Sequence, residues 1–235
     1  GPVHASDLRD CVRLAAKLGV GMVNCFAGMP AATATDQAPN WVTCPWPPYY
    51  SEMLRWQWTE RVLPFWKEMA SFAAEHGVVY NFEMHPGEWV YCPDRLLQMR
   101  DALGETVCCN FDASHLFWQG IHPPDAIRKI GFMIRHMHAK DTRIYPQNCN
   151  VYGVLDTKPY ADEANRSWIF RTVGYGHDAD LWKDIFSTLR MVGFDGVVSI
   201  EHEDSLMSGD EGLRKALAFL KECIIEQPKG AMWWA

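Results

Sequence analysis

Alternation of apolar and polar residues marks five short runs of this chain as strands, at 20–26, 78–85, 106–112, 134–140 and 196–202. Side chains on a strand point to opposite faces in turn, so residues two apart share a face. In VVYNFEMH (78–85), Asn81, Glu83 and His85 share one face, and Phe82 and Met84 the other. In TVCCNFDASH (106–115), Asn110 and Asp112 oppose Phe111. In IRHMHAKD (134–141), His136, His138 and Lys140 oppose Met137 and Ala139. In GVVSIEHED (196–204), Ser199, Glu201 and Glu203 oppose Val198, Ile200 and His202. One polar and one apolar face per run suits parallel strands with a helix-covered outer face and a functional inner face.

Helices are predicted at 6–18, 51–76, 93–103, 123–130, 178–191 and 209–226, the first with Ser6 as N-cap. Pro64 should kink or split the second, because it lacks the backbone donor and crowds the preceding turn. This strand-helix alternation predicts an α/β parallel sheet in a single domain over residues 1–235. Two segments break the rhythm. Residues 27–50 form a long loop rich in Pro and small residues. The stretch from Asp141 to about His177 holds several Tyr and Arg and predicts a lid or an oligomer contact. RTVGYG (171–176) closes it with two glycines and predicts a tight turn. It lacks the strand and helix context of a phosphate loop.

Composition narrows the function. A net charge of −7 offers no basic stripe for nucleic acid. No apolar run is long enough to span a bilayer, so no membrane partner is expected. The start, Gly1-Pro2, reads as a processed end without a signal peptide. The eight Cys form no CxxC pair and no regular framework, which predicts reduced thiols and a cytosolic protein. The closing GAMWWA carries two Trp that would make an apolar patch in water, so docking on this chain or a partner subunit is expected.

The candidate chemistry sits at the strand ends. Glu83, Asp112, His138 and Glu201 each lie near the C-terminal end of a different run. A polar residue there is costly without a partner. One alone could be a simply paired core residue, but four together predict one divalent cation. Three carboxylates and one imidazole suit Mn²⁺ or Mg²⁺ and tolerate Zn²⁺ or Co²⁺. His85 and Lys140 share the inner face, as substrate contacts or as braces, and Lys140 and Asp141 could pair behind His138 or, the favoured reading, be structural. Trp46, Trp89 and Trp118 follow strands, where they could stack on a sugar ring or pack under loops. His202 reads as structural, Asp204 as a cap, and His4, His76, His122 and His177 as surface or turn residues.

NFEMHPG, NFDASHLFWQGI, HMHAKDTR and GFDGVVSIEHED, in this order and spacing, resemble the sugar phosphate isomerase/epimerase family. The resemblance runs from about Ser6 and implies a xylose isomerase-like TIM barrel. It implies a divalent ion, Mn²⁺ first among Mg²⁺, Co²⁺ and Zn²⁺, held by Glu83, Asp112, His138 and Glu201. It also implies His115 on the substrate side and Arg143 near a substrate-binding Arg; Trp118 is a candidate contact by its place after a strand and not by the resemblance. The implied activity is isomerisation or epimerisation of a sugar or sugar derivative. Glu83 and Glu201 would move the proton alpha to a carbonyl through a metal-stabilised enediolate. A lyase, dehydratase or hydrolase on the same barrel, including the three-zinc endonuclease IV type, and a non-catalytic sugar-binding module are the alternatives. A full barrel needs eight strands and about 250 residues. With five legible strands, the barrel is expected to be incomplete at its N-terminus. An open edge is expected, covered by a loop, the Trp-rich tail or another copy in a homo-oligomer.

Overall fold

In the computed structural model, which describes residues 2–234, the apolar faces of the strands organise the molecule. Five strands form one parallel sheet: β1 (Met22–Cys25), β2 (Val79–Glu83), β3 (Val107–Asp112), β4 (Ile134–Ala139) and, last in the chain, Val197–Ile200. Two further strands, β5 (Asp141–Ile144) and β6 (Trp168–Arg171), pair antiparallel outside that sheet, so the fifth parallel strand is β7. The sheet order is β1-β2-β3-β4-β7.

The sheet curls into an arc of a barrel. Strands three places apart in a flat sheet are separated by roughly 14 Å. Yet Asn24 on β1 and His136 on β4 come within 3.1 Å across the concave face. On the convex side, Phe82, Met84, Phe111, Met137 and Ala139 are fully buried. Against them pack the helices α1 (Pro2–Leu18), α2 (Tyr49–Trp56), α3 (Leu63–Glu75) and α4 (Pro93–Leu103). Then follow the short α5 (Ser114–Phe117), α6 (Pro123–Ile130), α7 (Pro146–Tyr152), α8 (Ala179–Met191) and α9 (Gly209–Cys223). Trp66 on α3 stacks edge-on against Phe82 with centroids 4.5 Å apart, and its indole N–H donates to the Ala27 carbonyl at 2.9 Å.

Several boundaries differ from expectation. The first helix begins before Ser6, at Pro2, so Ser6 is an interior residue and not a cap. The helix holding Pro64 neither breaks nor simply kinks. Its turns widen to π geometry over Gln57–Val62, and Leu63 N–H bonds to the Trp58 carbonyl five residues back. That wider spacing absorbs the donor that proline lacks. Asp178 and Ser208 cap α8 and α9, their side chains accepting from Leu181 and Glu211 N–H groups.

The long connection after β4 is ordered. The β5–β6 pair holds its two ends together, and α7 lies between them. The tight turn expected at 171–176 is present, with Gly174 at φ +88°. Lys140 and Asp141 do not pair: Asp141 turns away and anchors this turn. Its Oδ2 accepts from the N–H groups of Gly174, Gly176 and His177 at 3.0–3.1 Å and from the Trp182 indole at 3.2 Å. His177 lies in this turn, half-buried, as the turn alternative expected. It hydrogen-bonds Asp141 Oδ1 at 2.8 Å and stacks on Phe117 at 3.8 Å between centroids.

Among the described residues neither a loop nor the tail of this chain covers both sheet edges, which leaves another copy as the remaining expected cover. Val197 on β7 and Asn24 on β1 are exposed. Trp233 and Trp234 do not dock on this chain; they lie edge to face on each other, 86% and 68% exposed. No helix among the described residues is long and apolar enough to cross a membrane.

Candidate metal centre

Strand parity and barrel curvature bring four separated residues to one point. One ligand atom each from Glu83, Asp112, His138 and Glu201 lies within 4.8 Å of the others. Glu83 ends β2, Asp112 ends β3, His138 is the penultimate residue of β4, and Glu201 follows β7 directly. His138 Nδ1 is 3.0 Å from Glu83 Oε2 and 3.1 Å from Glu201 Oε2. Asp112 is fully buried, and its Oδ1 accepts from the Ser114 N–H at 2.8 Å. Its Oδ2 and Glu201 Oε2 are buried oxygens that accept no hydrogen bond in proper geometry among the described residues. Both instead face positive groups, Lys140 at 3.2 Å from Asp112 Oδ2 and at 3.0 Å from Glu201 Oε2, and His138 at 3.1 Å from Glu201 Oε2, so the two oxygens converge where positive charge gathers.

The electrostatics agree with the geometry. Burial opposes ionisation of Glu83, but hydrogen bonds from His115 and His138 outweigh it and hold the carboxyl well below the usual range. Glu201 is held low chiefly by its hydrogen bond to His138, with Lys140 adding to the effect. Burial works against a charged His138, yet its contacts with Glu201 and Glu83 lift it to about 10. Asp112 goes the other way: burial pushes it up despite His115 and Lys140 nearby. The cluster holds more negative charge than its neighbours neutralise, and a proton on His138 stands where a divalent ion would put its charge. Three carboxylates and one imidazole fit a hard or borderline divalent ion, so the residues present fit the group.

Lys140 sits beneath this cluster, 2% exposed. Its Nζ is 3.2 Å from Asp112, 3.0 Å from Glu201 and 2.9 Å from Glu203. It is thus a brace for three carboxylates, and Asp141 is not its partner. His115 joins the cluster as well, Nε2 at 3.3 Å from Glu83 and 3.5 Å from Asp112. His85 packs on His115 with centroids 4.2 Å apart.

Beside the cluster opens a cavity of about 370 Å³ lined by His85, Tyr160, Ile169, Phe170, Glu203 and Ser205. A groove of about 900 Å³ beside β1 and α1 is larger, but none of the four clustered residues lines it. Tyr160, Ile169 and Phe170 come from the long connection after β4, whose only sequence signal was its length and aromatic content. Two expected contacts lie elsewhere. Arg143 is exposed on β5 and donates to the Gly176 carbonyl at 3.2 Å; none of its hydrogen bonds reaches the cluster. Trp118 is buried against Trp168, the rings 4.5 Å apart and nearly parallel, so packing has taken that face. Trp89 is buried against Trp58 in the same way, and Trp46 is exposed. His202 packs on α9, and Asp204 ties the segment after β7 to Arg171 and the Thr172 N–H.

Comparison with known proteins bears on this arrangement. The chain is 39% identical over 227 residues to YfiH of Bacillus subtilis (strain 168), itself uncharacterised, covering 95% of this chain and 72% of that protein. It is 27% identical over 159 residues to an inosose dehydratase of Geobacillus thermodenitrificans (strain NG80-2), covering 66% of this chain and 51% of that protein. The fold matches a crystal structure of a D-tagatose 3-epimerase-like protein at a TM-score of 0.62 and 20% identity, over 94% of this chain and 68% of the other. The chain is thus shorter than each of these relatives, consistent with five strands of an incomplete barrel. The model of the xylose isomerase-like TIM barrel matches residues 4–223, and the chain belongs to that family.

Proposed function

We propose that this protein is a divalent-metal-dependent isomerase or epimerase of a sugar or sugar derivative. The observation that carries this reading is the convergence of one ligand atom each from Glu83, Asp112, His138 and Glu201 within 4.8 Å. These four would hold one ion, with Mn²⁺ the first choice and Mg²⁺, Co²⁺ or Zn²⁺ able to replace it. The ion when bound supplies positive charge beside a substrate carbonyl, stabilising the negative charge that develops there. Glu83 and Glu201 are the acid and base. One takes the proton from the carbon next to the carbonyl, and the other returns a proton to that carbon or its neighbour. Both are already ionised, so neither needs a raised pKa to act as base. His85, His115 and Lys140 border the space where a substrate would lie. Phe170 and Tyr160 wall it from solvent, and the connection carrying them acts as its cover.

A second reading, elimination of water from the same class of substrate, begins with the same proton removal. It is favoured by the Lys140 ammonium, held 2.9 Å from Glu203 at the cavity and able to face a departing hydroxyl. The inosose dehydratase relative points the same way. The exposed strand edges and Trp233–Trp234 lead us to propose association of chains into a homo-oligomer, and the eight free cysteines a cytosolic setting.

Deuterium uptake from heavy water by ketoses and inositol-derived ketones tests the reading. Exchange next to the carbonyl, requiring Mn²⁺ and lost in Glu201→Gln, is expected. Exchange undiminished in Glu201→Gln would remove that residue from the chemistry. A product lacking one water would select elimination.

A further inference from the structure

One step below the metal cluster, every strand of the sheet turns a polar side chain inward: Asn24 on β1, Asn81 on β2, Asn110 on β3, His136 on β4 and Ser199 on β7. Barrel interiors are ordinarily filled by layers of branched apolar side chains. Asn81 and Asn110 are fully buried, and burying such groups is costly unless they are bonded.

The bonds form a directed chain. At one end the Asn110 amide Nδ2 donates to Glu83 Oε2 at 2.8 Å. That fixes Asn110 Oδ1 toward His136 Nδ1, 2.7 Å away. An oxygen that only accepts requires a hydrogen on Nδ1. His136 Nε2 then accepts from the Ser199 hydroxyl at 3.0 Å. Asn81 Nδ2 donates to Asn24 Oδ1 at 2.9 Å at the other edge of the layer; Asn24 Nδ2 lies 3.1 Å from His136 Nδ1, a contact and not a bond when Nδ1 gives its hydrogen to the nearer Asn110 Oδ1. From Ser199 through His136 to Asn110 each orientation sets the next, and the chain ends on a carboxylate of the cluster. The Asn110 amide also lies 3.3 Å from both ring nitrogens of His138, so it borders a second member of the cluster.

We infer that Asn110 and His136, with Ser199 behind them, are positioning residues that set the orientation of Glu83 for the metal. This rests on the metal site proposed above. Glu83 Oε2 would otherwise be free to rotate toward His138 alone, and Asn110 would have no fixed sense of its amide. Groups that orient metal ligands in this way typically change metal affinity by about 10–100-fold when lost.

The test is Mn²⁺ titration calorimetry on the metal-free full chain, comparing His136→Leu, His136→Asn, Ser199→Ala and Glu201→Gln. His136→Leu is expected to weaken Mn²⁺ binding by roughly 10–100-fold. His136→Asn keeps an amide N–H where Nδ1 lies and is expected to recover most of that loss, which a purely space-filling role would not produce. Ser199→Ala, a small change on a half-buried edge strand, is expected to weaken binding in the same direction and serves if His136→Leu does not fold. Parent-like affinity in His136→Leu, or in Ser199→Ala where His136→Leu does not fold, overturns this inference while Glu201→Gln still abolishes binding. Should Glu201→Gln also bind Mn²⁺ normally, the metal site itself falls.

Discussion

At the scale of single residues the site is a competition between protons and a divalent ion for the same carboxylates. In metal-free protein His138 is raised from 6.5 to about 10, so its charged form stabilises the fold. That contribution is complete below pH about 6.5 and is lost as pH rises through about 10. Glu201 and Glu83 are lowered, so their contribution is present above their ordinary carboxylate range and lost on acidification. Metal-free protein should therefore lose thermal stability from pH 7 to pH 10 more steeply than His138→Gln, read by the melting midpoint. Mn²⁺ binding should show the reverse slope, tightening by about tenfold per pH unit in that range as one proton leaves His138. Lys140→Met leaves Asp112, Glu201 and Glu203 without their buried counter-charge and should cost on the order of 3–5 kcal/mol. Added Mn²⁺ should restore part of it, as a melt with and without the ion would register. The candidate ligand set was legible because strand parity puts Glu83, Asp112 and Glu201 on inner faces, while His138 reaches the same face only beyond an irregularity of β4. The error at Arg143 has an equally local cause. Its strand, β5, leaves the parallel sheet and pairs with β6, so nearness to His138 in sequence did not mean nearness in space.

At the scale of elements, one irregularity aims the site. Cys109 pairs with Ile134 and the next residue, Asn110, with His136, so Arg135 is an extra residue bulged out of β4. Side chains alternate along a strand, so this one insertion turns His136 and His138 to the concave face after Ile134 has packed outward. Gly196 fits the bulge: a Cβ there would lie 2.7 Å from the Arg135 carbonyl. Deleting Arg135 should straighten β4 while keeping Cys109 opposite Ile134 and Asn110 opposite His136, so both histidines should stay on the concave face and Mn²⁺ binding should survive. Inserting one residue after Arg135 should instead turn them among the helices and abolish binding, as calorimetry on variants still folded by circular dichroism would show. Such a bulge leaves no mark in IRHMHAKD, whose alternation looks continuous. The turn after β6 is a second device. Asp141 gathers three backbone N–H groups and an indole N–H there, and a Cβ on Gly176 would meet its Oδ1 at 2.4 Å. Asp141→Asn should lower stability by roughly 2–3 kcal/mol in denaturant melts, the scale of a hydrogen bond to a charged group. The glycines of RTVGYG announced this turn, but only the fold could supply its anchor from 30 residues upstream.

At the scale of the whole molecule, an arc of five parallel strands assembles the complete candidate ligand set on its concave face. Helix and strand positions were readable almost throughout, because parallel strands alternate with amphipathic helices at regular intervals. The β5–β6 pair was not, since its residues carry no clear alternation and its pairing joins segments far apart in sequence. The C-terminal Trp pair had two expected docking places, and since this chain offers no receiving surface to Trp233 and Trp234, a partner subunit is the one that remains. The most direct test of the whole account is the number of Mn²⁺ ions that dialysed protein binds at saturation. One ion per chain, lost in Glu201→Gln, is predicted. No binding, or one ion retained at parental affinity in that variant, would contradict it.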